Sequence, residues 1–260
     1  QFIGPGEGLL ACGYVGKGRL AEPEDIVQAI RQRLEDDQKP LTGKKVLVTA
    51  GPTVEAIDPV RYFSNRSTGK MGFAIAEIAK RWGADVILVA GPTSLETPKG
   101  VERIDVASAE EMYEAVISRY EQMDIIVKAA AVADYRPKET HAHKIKKKSG
   151  DLVIEMERTK DILAELGKRK THQFLIGFAA ESTDVENYAL QKLESKNLDL
   201  IVANNIVEKD AGFGTDTNVV TIFSRNGDKT ELPTLSKWDV AKEIFKKALA
   251  IMKEAESHDC

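Results

Sequence analysis

Short apolar runs alternate with amphipathic segments along the chain from residue 45 onwards. Runs rich in Val, Ile, Leu and Ala, with the length of buried parallel strands, lie at residues 45–50, 84–90, 101–106 and 124–127. Between the first two, apolar residues from Met71 to Trp82 recur at helical spacing, so a crossover helix is expected to begin near Gly69. Ser108 followed by Glu111 predicts the capped start of a second helix. This alternation is typical of a parallel sheet.

The second half of the chain continues the alternation. We expect a short strand at 152–156, a helix at 161–169, a strand at 173–178, a helix starting at 182–184, a strand at 198–203 and a closing helix at 238–255. Asn226 and Gly227 separate two further strand-like runs, which predicts an antiparallel hairpin at the sheet edge. The predicted fold class is therefore α/β: a Rossmann-like, mainly parallel sheet with helices on both faces and an antiparallel edge hairpin.

The first residues differ in composition from the rest. Residues 1–20 are rich in glycine and poor in large apolar side chains, so this segment buries too little surface to fold alone and is expected to be a flap or a fragment. Pro23 opens a helix whose narrow apolar stripe consists of Ile26, Ile30 and Leu34. Residues 36–43 are interpreted as a linker that precedes the main domain.

The charge balance argues against some classes of partner. The 260 residues include 37 Lys and Arg against 41 Asp and Glu, a net charge of −4, which argues against a general nucleic-acid surface. The two cysteines, Cys12 and Cys260, offer neither a disulfide framework nor a zinc spacing. No apolar run reaches the roughly 18 residues of a membrane span, and no signal-peptide pattern is present. The prediction is a cytoplasmic protein with neither a nucleic-acid nor a membrane partner.

Four polar loops follow the carboxyl ends of predicted parallel strands. They cover residues 51–69, 129–148, 178–182 and 204–216. Open α/β sheets bind ligands at this edge, so the loops are expected to converge on one crevice. Lysines at 144 and 146–148 repel one another unless water or an anion separates them. Backbone amides near Gly69, together with Arg61 and Asn65, favour a phosphate ligand, although no Walker A motif is present.

Simpler explanations of these features remain open. The lysine run is compatible with a solvated loop, and Arg61 and Asn65 with residues that only hold their own loop together. His141 and His143 have a spacing suited to a metal, but the flanking lysines and the lack of nearby carboxylates favour solvation.

Two other function classes are compatible with the scaffold. Tyr188 and Lys192 have the Tyr-x-x-x-Lys spacing of short-chain dehydrogenases. Against a nicotinamide enzyme, the first turn lacks Gly-x-Gly-x-x-Gly and the second strand ends without an acidic residue for the ribose. The other class is a non-catalytic nucleotide- or flavoprotein-binding module, which would show saturable binding without turnover.

Four motifs together resemble a known family. They are Arg-Tyr-Phe-Ser-Asn-Arg-Ser-Thr-Gly-Lys-Met-Gly at 61–72, Ala-Ala-Ala-Val-Ala-Asp at 129–134, Lys-Ile-Lys-Lys at 144–147 and Gly-Phe-Ala-Ala-Glu at 177–181. In this order they are similar to the motifs of phosphopantothenoylcysteine synthetases, and more narrowly to the synthetase half of bacterial bifunctional coenzyme A biosynthesis proteins. The resemblance extends from residue 44 to about residue 254.

The resemblance implies a two-step ligation of 4′-phosphopantothenate and L-cysteine. The pantothenate carboxylate attacks the α-phosphate of CTP, which gives an acyl-cytidylate and pyrophosphate, and the cysteine amine then displaces CMP. Fixed cations and amide donors stabilise the charge that develops in both steps. By resemblance, Lys144 is the catalytic lysine near the α-phosphate, Asn65 acts in conversion of the acyl-cytidylate, and Arg61 belongs to the same active-site loop.

The same resemblance assigns the nucleotide contacts. They are Ala130, Ala131, Asp134, Lys144, Asp161, Ile162, Leu163, Phe178, Lys192 and Lys196. The amides around Ala130 and Ala131 and the carboxylate of Asp134 correspond to the part that holds the base. Where the family often has Asn-Pro before this Asp-Ile pair, the chain has Thr159 and Lys160, so a proline-fixed turn is lost. Mg²⁺ is expected on the triphosphate, without dedicated protein ligands.

The head of the chain carries a second resemblance. Residues 8–13 and 16–19 are similar to the substrate clamp of the flavin-dependent phosphopantothenoylcysteine decarboxylase, and Cys12 matches the clamp cysteine. The implied division is a truncated decarboxylase remnant and linker at 1–40 and a synthetase domain at 41–260. Decarboxylase activity is not expected, because FMN belongs to the missing decarboxylase domain. The family resemblance also implies a homodimer.

Overall fold

The structure, a computed structural model, describes residues 5–9, 14–24, 26–27, 30, 34, 38–147, 149–181, 184–205 and 214–258. Near the N-terminus, the strands Gly6–Leu9 and Val15–Arg19 pair antiparallel as a hairpin. The helix predicted after Pro23 has helical backbone at each of its described positions from 23 to 34. Some sequence predictions concern residues outside the described ranges, namely Cys12, Lys148, 182–183 and Cys260.

An eight-stranded sheet forms the centre of the protein. Its strands are β1 (Lys45–Ala50), β2 (Asp85–Ala90), β3 (Glu102–Asp105), β4 (Ile125–Lys128), β5 (Phe174–Glu181), β6 (Leu200–Asn205), β7 (Val220–Ser224) and β8 (Lys229–Glu231). They lie in the order β3-β2-β1-β4-β5-β6-β7-β8. The first six are parallel, whereas β7 pairs antiparallel with β6, and β8 pairs antiparallel with β7. The predicted Rossmann-like sheet with its antiparallel edge hairpin is confirmed.

The strand order reverses between β1 and β4, which are adjacent in the sheet although they are far apart in sequence. Beyond the two strand ends, an isolated parallel bridge joins Pro52 and Ala131. Such a reversal leaves a crevice at the carboxyl ends of the strands, because the crossovers on either side turn away from each other. The loops after β1 and β4 are therefore placed where this class of sheet binds ligands.

Five helices of the described chain cover the two faces of the sheet. They are α1 (Lys70–Arg81), α2 (Ala109–Ile117), α3 (Ile162–Arg169), α4 (Val185–Ser195) and α5 (Lys237–His258). Successive residues of a strand face opposite sides of the sheet and so belong to two different cores. In β1, Val46 and Val48 pack with α1 and α5, while Leu47 packs with α2, α3 and α4. Helices on both faces were predicted and are confirmed. None of the helices in the described ranges is long and apolar enough to cross a membrane.

The start of α2 follows from its sequence. The Ser108 hydroxyl accepts a hydrogen bond from the Glu111 amide at 3.2 Å. The Glu111 carboxylate accepts from the Ala107 amide at 2.7 Å, one residue before the position that a capping box predicts. Both bonds satisfy backbone donors at a helix start.

Two sequence predictions about the elements are wrong. The strand expected at 152–156 is absent; instead Met156–Arg158 pairs antiparallel with Tyr135–Pro137. Leu152 and Val153 are exposed, so the apolar character of this run does not report burial in the sheet. Leu41, assigned to the linker, is fully buried and its amide donates to the Trp82 carbonyl at 2.8 Å. The packed domain therefore begins before β1.

Candidate functional site

The four loops predicted to converge meet around a cavity of ≈ 140 Å³, here named the helix-start cavity. Its lining comprises residues 67–72, 129–131 and 178–180, with Asn204, Gly214, Asn218 and Lys237. Each of the four predicted loops contributes to this lining. The prediction of one shared crevice is confirmed for the described parts of the loops.

Two glycines allow α1 to begin directly above β1. Gly69 precedes the helix with φ at 83°, a left-handed conformation that favours glycine. A Cβ on Gly72 would lie 2.5 Å from the Cβ of Ala50 and 2.9 Å from the Thr49 carbonyl oxygen. The first turn of α1 therefore packs against the strand end more closely than any larger residue permits.

The backbone after β4 is fixed by hydrogen bonds from the loop after β1. The Ala130 amide donates to Thr49 Oγ1 at 3.1 Å, and the Ala131 amide donates to the Gly51 carbonyl at 2.9 Å. Thr53 Oγ1 accepts from the Ala133 amide at 2.9 Å. Both amides thus donate within the protein in this structure, while contacts of the amides around Ala130 and Ala131 with the base stay a prediction. The small side chains of both residues form cavity wall.

Asn65, in the loop after β1, also contacts the segment after β4. Its Nδ2 donates to the Ala131 carbonyl at 3.1 Å, and Ser64 Oγ donates to the Thr53 carbonyl at 2.7 Å. The loop after β1 thus lies against the segment after β4. Asn65 holds this contact between two segments, so its bond does more than hold its own loop together. The contact also places its amide beside Ala131 in the lining of the helix-start cavity.

A second cavity, of ≈ 420 Å³, lies next to the first and shares Ala130 and Phe178 with it. We name it the lysine-lined cavity, because Lys128, Lys160, Lys192 and Lys196 line it. Eight of the ten predicted nucleotide contacts line this cavity, namely Ala130, Asp134, Asp161, Ile162, Leu163, Phe178, Lys192 and Lys196. Ala131 lines only the helix-start cavity of the two. The structure brings these residues together, while their contacts with a nucleotide remain a prediction.

Asp161 and Lys196 form the charged pair of this cavity. Asp161 caps α3, because its Oδ1 accepts from the Ala164 amide at 2.9 Å, and its Oδ2 lies 2.9 Å from Lys196 Nζ. Burial raises the pKa of Asp161, but the Ala164 amide and Lys196 outweigh that effect and leave the pKa below its usual value. Asp161 is therefore ionised at neutral pH and neutralises one of the four lysines.

Thr159 anchors the turn before Asp161 by two hydrogen bonds. Its amide donates to the Asp134 carbonyl at 3.0 Å, and its hydroxyl donates to the Ala133 carbonyl at 2.6 Å. Lys160 pairs with Glu110 and lies over the Tyr113 ring, with 4.5 Å from Nζ to the ring centroid. The segment that carries Asp161 is consequently attached to the segment after β4 by specific hydrogen bonds.

Lys128 is a functional candidate that sequence reasoning did not assign. It is the last residue of β4, is only 8% exposed and lines the lysine-lined cavity. Burial lowers the pKa of Lys128 to about 7; Asp161 and Asp134 raise the pKa and Lys196 lowers it, all by smaller amounts. The available signal was a lysine directly after the apolar run that forms β4, but a sequence does not reveal where such a side chain points.

Arg61 lies in an ion-pair network with the buried Asp58. Two guanidinium nitrogens donate to Asp58 Oδ2, at 2.6 and 3.0 Å, and the same group donates to the Ile145 carbonyl at 2.8 Å. Burial raises the pKa of Asp58, but amide donors from Val60 and Ile145, together with Arg61, outweigh it and hold the pKa well below its usual range. Arg61 therefore attaches the loop at 139–147 to the loop after β1.

The remaining predicted residues lie apart from the cavities. Lys144 is exposed and lines neither cavity, although its neighbour Ile145 is held by Asp58 and Arg61. His141 and His143 are exposed, and no cluster of three or more potential metal-ligating side chains occurs among the described residues. Tyr188 is half exposed and lines neither cavity, so it does not form a dehydrogenase pair with Lys192 inside the site.

Together, the fold and these cavities define a Rossmann-like α/β protein. Its candidate ligand site is lined by lysines and lies where the strand order of the sheet reverses. The family described as DNA/pantothenate metabolism flavoprotein C-terminal domain matches residues 41–252. The chain belongs to this family.

Curated relatives and solved structures agree with this assignment. The chain is 57% identical over 255 residues to the coenzyme A biosynthesis bifunctional protein CoaBC of Bacillus subtilis, which covers 97% of the chain and 63% of that protein. The chain thus spans less than two thirds of this relative. The crystal structure of a C-terminal domain of CoaBC has a TM-score of 0.73 and 49% identity, and covers 83% of this chain and 99% of that domain.

A more distant solved structure shares the fold. It is a variant of the protein Cab2 in complex with phosphopantothenate-cysteine, with 19% identity and a TM-score of 0.69 over 92% of this chain and 97% of that one. At this identity the likeness supports the architecture alone.

Proposed function

We propose that this chain is a phosphopantothenate–cysteine ligase of coenzyme A biosynthesis that uses CTP and forms an acyl-cytidylate. The observation that carries the proposal is the lysine-lined cavity, because eight residues predicted from the family resemblance to contact the nucleotide line it together. The names of the CoaBC relatives and the ligand of the Cab2 variant are consistent with this activity.

In the first step, a carboxylate oxygen of 4′-phosphopantothenate attacks the α-phosphorus of CTP and the bond to the bridging oxygen breaks. Pyrophosphate leaves with the electron pair. Charge accumulates on the α-phosphate oxygens, and cations fixed before the reaction stabilise it. We assign this role to Lys144, whose loop is attached to the site by Asp58 and Arg61. Lys192 in α4 and Lys196 at its end hold the nucleotide.

In the second step, the cysteine amine attacks the acyl carbon, and CMP leaves with the electron pair as the amide forms. The amine loses one proton in this step, and the carbonyl oxygen carries the developing charge. We assign Asn65 to this stage, because its side-chain amide lies at the Ala131 carbonyl beside the helix-start cavity. That cavity offers the amides of the first turn of α1 for an anionic group of the acyl substrate.

Mg²⁺ fits the proposal as a partner of the triphosphate. The described residues contain no cluster of three potential ligands, and Mg²⁺ that binds through phosphates requires few from the protein. When bound, the ion would neutralise part of the triphosphate charge.

We propose a homodimer as well. Val60, Tyr62 and Phe63 are exposed on and beside the hairpin of Val54–Ala56 and Tyr62–Ser64. A contiguous set of large apolar side chains is typical of an interface. Arg61 lies between the two strands of this hairpin and donates to the Ile145 carbonyl. Dimer formation at the hairpin would therefore order the loop at 139–147, which carries Lys144. Light scattering coupled to size-exclusion chromatography tests this, and a monomer for both wild type and Tyr62→Asp would contradict it.

The division of the chain belongs to the same proposal. Residues 41–260 form the ligase, and residues 1–40 correspond to the decarboxylase clamp and linker. FMN is not among the groups that the proposed reaction requires.

The decisive experiment measures pyrophosphate release from CTP, and separately from ATP, with 4′-phosphopantothenate present and cysteine withheld and then added. Release with CTP followed by cysteine-dependent CMP formation supports the two-step ligase. CTP binding without pyrophosphate release supports a binding module instead, and NAD(P)H binding sensitive to Tyr188→Phe supports a dehydrogenase.

A further inference from the structure

Lys128 is a buried cation that faces a cavity without a partner of its own. Its flanking register partners, Thr49 in β1 and Gly177 in β5, contribute no charge. Among the described residues, none forms a hydrogen bond or an ion pair with its ammonium group. Buried ammonium groups are otherwise paired, because the protein interior solvates them poorly. A residue of this kind at the wall of a cavity indicates that its partner arrives with a ligand.

The other buried lysines of the described chain show what an internal partner looks like. Lys237 donates to the carbonyls of Thr215 and Thr217, and Lys242 lies 3.8 Å from the Asp239 carboxylate. Lys128 differs from both. The two carboxylates that raise its pKa are Asp161, which is already paired with Lys196, and the exposed Asp134.

We infer that Lys128 binds the nucleotide directly, by donating a hydrogen bond from its ammonium group to an acceptor atom that the ligand brings into the lysine-lined cavity. The inference rests on the proposed function, since it takes a nucleotide as the ligand. A phosphate oxygen and a base or ribose oxygen offer the same acceptor chemistry, and the experiment below separates them.

Nucleotide binding is then coupled to protonation. An acceptor beside Lys128 favours its charged form and raises its pKa above the value of about 7 in the free protein. Above pH 7, binding therefore takes up a proton. Affinity is greatest below pH 7 and weakens as pH rises towards the higher pKa of the complex, by up to about tenfold per pH unit.

Several other charged groups face the same cavity and act on Lys128 or on the ligand. They are Asp134 after β4, Arg158 and Lys160 before α3, Asp161 at the start of α3, Lys192 in α4 and Lys196 directly after α4. Of these, Asp134, Asp161 and Lys196 shift the pKa of Lys128. Of the same groups, Asp161 has a pKa below its usual value and that of Lys160 is raised, so neither titrates near pH 7. The coupling near neutral pH is therefore assigned to Lys128.

The first test uses the wild-type chain and needs no substitution. Calorimetric titration with CTP at about pH 8, in buffers of different ionisation enthalpy, measures the protons taken up on binding. A larger proton uptake by the wild type than by the Lys128→Met variant supports the inference. Equal proton uptake by the two proteins overturns it. Titration with CMP and cytidine locates the acceptor: uptake with CMP but not with cytidine indicates a phosphate oxygen, and uptake with cytidine indicates the base or ribose.

The second test compares Lys128→Met with Lys242→Met, which removes another buried lysine that lines neither cavity. We expect Lys128→Met to bind CTP about tenfold or more weakly at about pH 6.5, with little difference at high pH, and Lys242→Met to bind as wild type does. Wild-type affinity and pH profile in Lys128→Met would overturn the inference. Loss of ligase activity is scored separately: a wild type that binds CTP without turnover contradicts the proposed function and leaves the Lys128 comparison intact. A wild type that binds no nucleotide overturns both.

Discussion

Arg61 and Ile145 are joined by a hydrogen bond of 2.8 Å from the guanidinium to the carbonyl, although 84 positions separate them in the chain. Asp58 Oδ2 accepts from the Ile145 amide at 3.1 Å, so both backbone groups of Ile145 are engaged. The residue before it is Lys144. The loop after β1 thus fixes the backbone next to the predicted catalytic lysine. Arg61, predicted as a catalytic residue, has a positioning role in this contact.

Asp58→Asn tests that relationship. The amide keeps the shape of the carboxylate but loses the ion pair with Arg61, so the attachment of the loop at 139–147 near Ile145 is weakened. We expect kcat to fall about tenfold or more, with a much smaller change in the KM for CTP, and limited proteolysis of this loop to accelerate. Asp105→Asn, which removes an exposed ion pair with Arg103, is the matched control. Equal kcat values for Asp58→Asn and the control would contradict the positioning role.

The unliganded protein should become more stable when Lys128 is replaced by Met. Burial of an unpaired ammonium is unfavourable, so we expect a gain on the order of 1–3 kcal/mol in the free energy of unfolding at pH 7. The pKa of Lys128 is about 7 in the folded protein and higher in the unfolded chain, so the unfolded state binds more protons above pH 7. Wild-type stability relative to the variant therefore rises from about pH 7 to about pH 10. Denaturant unfolding at several pH values measures this, and a less stable variant at pH 7 would contradict it.

The sequence predicted most of the fold because its signals are local. The apolar runs of β1 and β2, the Asn226 and Gly227 turn and the Ser108 cap each depend on neighbouring residues, and all were found. The prediction of a strand at 152–156 failed because an apolar run does not show whether other residues of the protein will bury it. The linker assignment of Leu41 failed because its partner, Trp82, lies far along the chain at the end of α1, and the local sequence does not reveal that contact.

The candidate site was predictable to the extent that strand ends meet at a known edge of the sheet. That rule places Asn65, Ala131 and Phe178 near one another without any measured distance. The rule does not give side-chain directions, which is why Lys128 was missed. The hydrogen bonds that join these segments were also beyond the sequence: the amide of Ala130 donates to Thr49 and that of Ala131 to Gly51, and no local pattern indicates either bond.

Thr159 should contribute to nucleotide affinity through the turn that it fixes. Thr159→Val removes the hydrogen bond from its hydroxyl to the Ala133 carbonyl, and leaves that buried acceptor unsatisfied. We expect a loss of about 1–2 kcal/mol in stability and a several-fold weaker affinity for CTP, because Asp161 lies two residues further along the same segment. Thr42→Val removes an equivalent bond from an exposed turn, to the Lys39 carbonyl, and should leave CTP affinity unchanged. Equal CTP affinities for the two variants, measured by calorimetry, would show that the turn does not support the cavity.

Gly72→Ala should displace the start of α1. The new Cβ would lie 2.5 Å from the Cβ of Ala50, so the helix has to move away from β1. We expect a loss of about 1–3 kcal/mol in stability and a higher KM for 4′-phosphopantothenate, because the first turn of α1 lines the helix-start cavity. Gly150→Ala meets no atom within 4 Å and strains only a φ of +98°, so it controls for the general cost of replacing glycine. Activity assays and thermal unfolding of both variants decide the matter: if Gly72→Ala retains the KM of wild type, the cavity does not bind the acyl substrate.

Asn65→Ala separates the two chemical steps. The side chain contacts the Ala131 carbonyl beside the helix-start cavity, and no predicted nucleotide contact of the lysine-lined cavity depends on it. Pyrophosphate release in the absence of cysteine should therefore persist at near the wild-type rate, while cysteine-dependent CMP formation falls about 100-fold, the cost of removing one donor from a developing oxyanion. The acyl-cytidylate should then accumulate and be detectable by mass spectrometry after a rapid quench. Ser64→Ala removes a neighbouring side-chain bond to the Thr53 carbonyl and should show neither effect. If Asn65→Ala instead slows both steps equally, and Ser64→Ala does the same, the asparagine only holds its loop in place and the second step must rely on other donors.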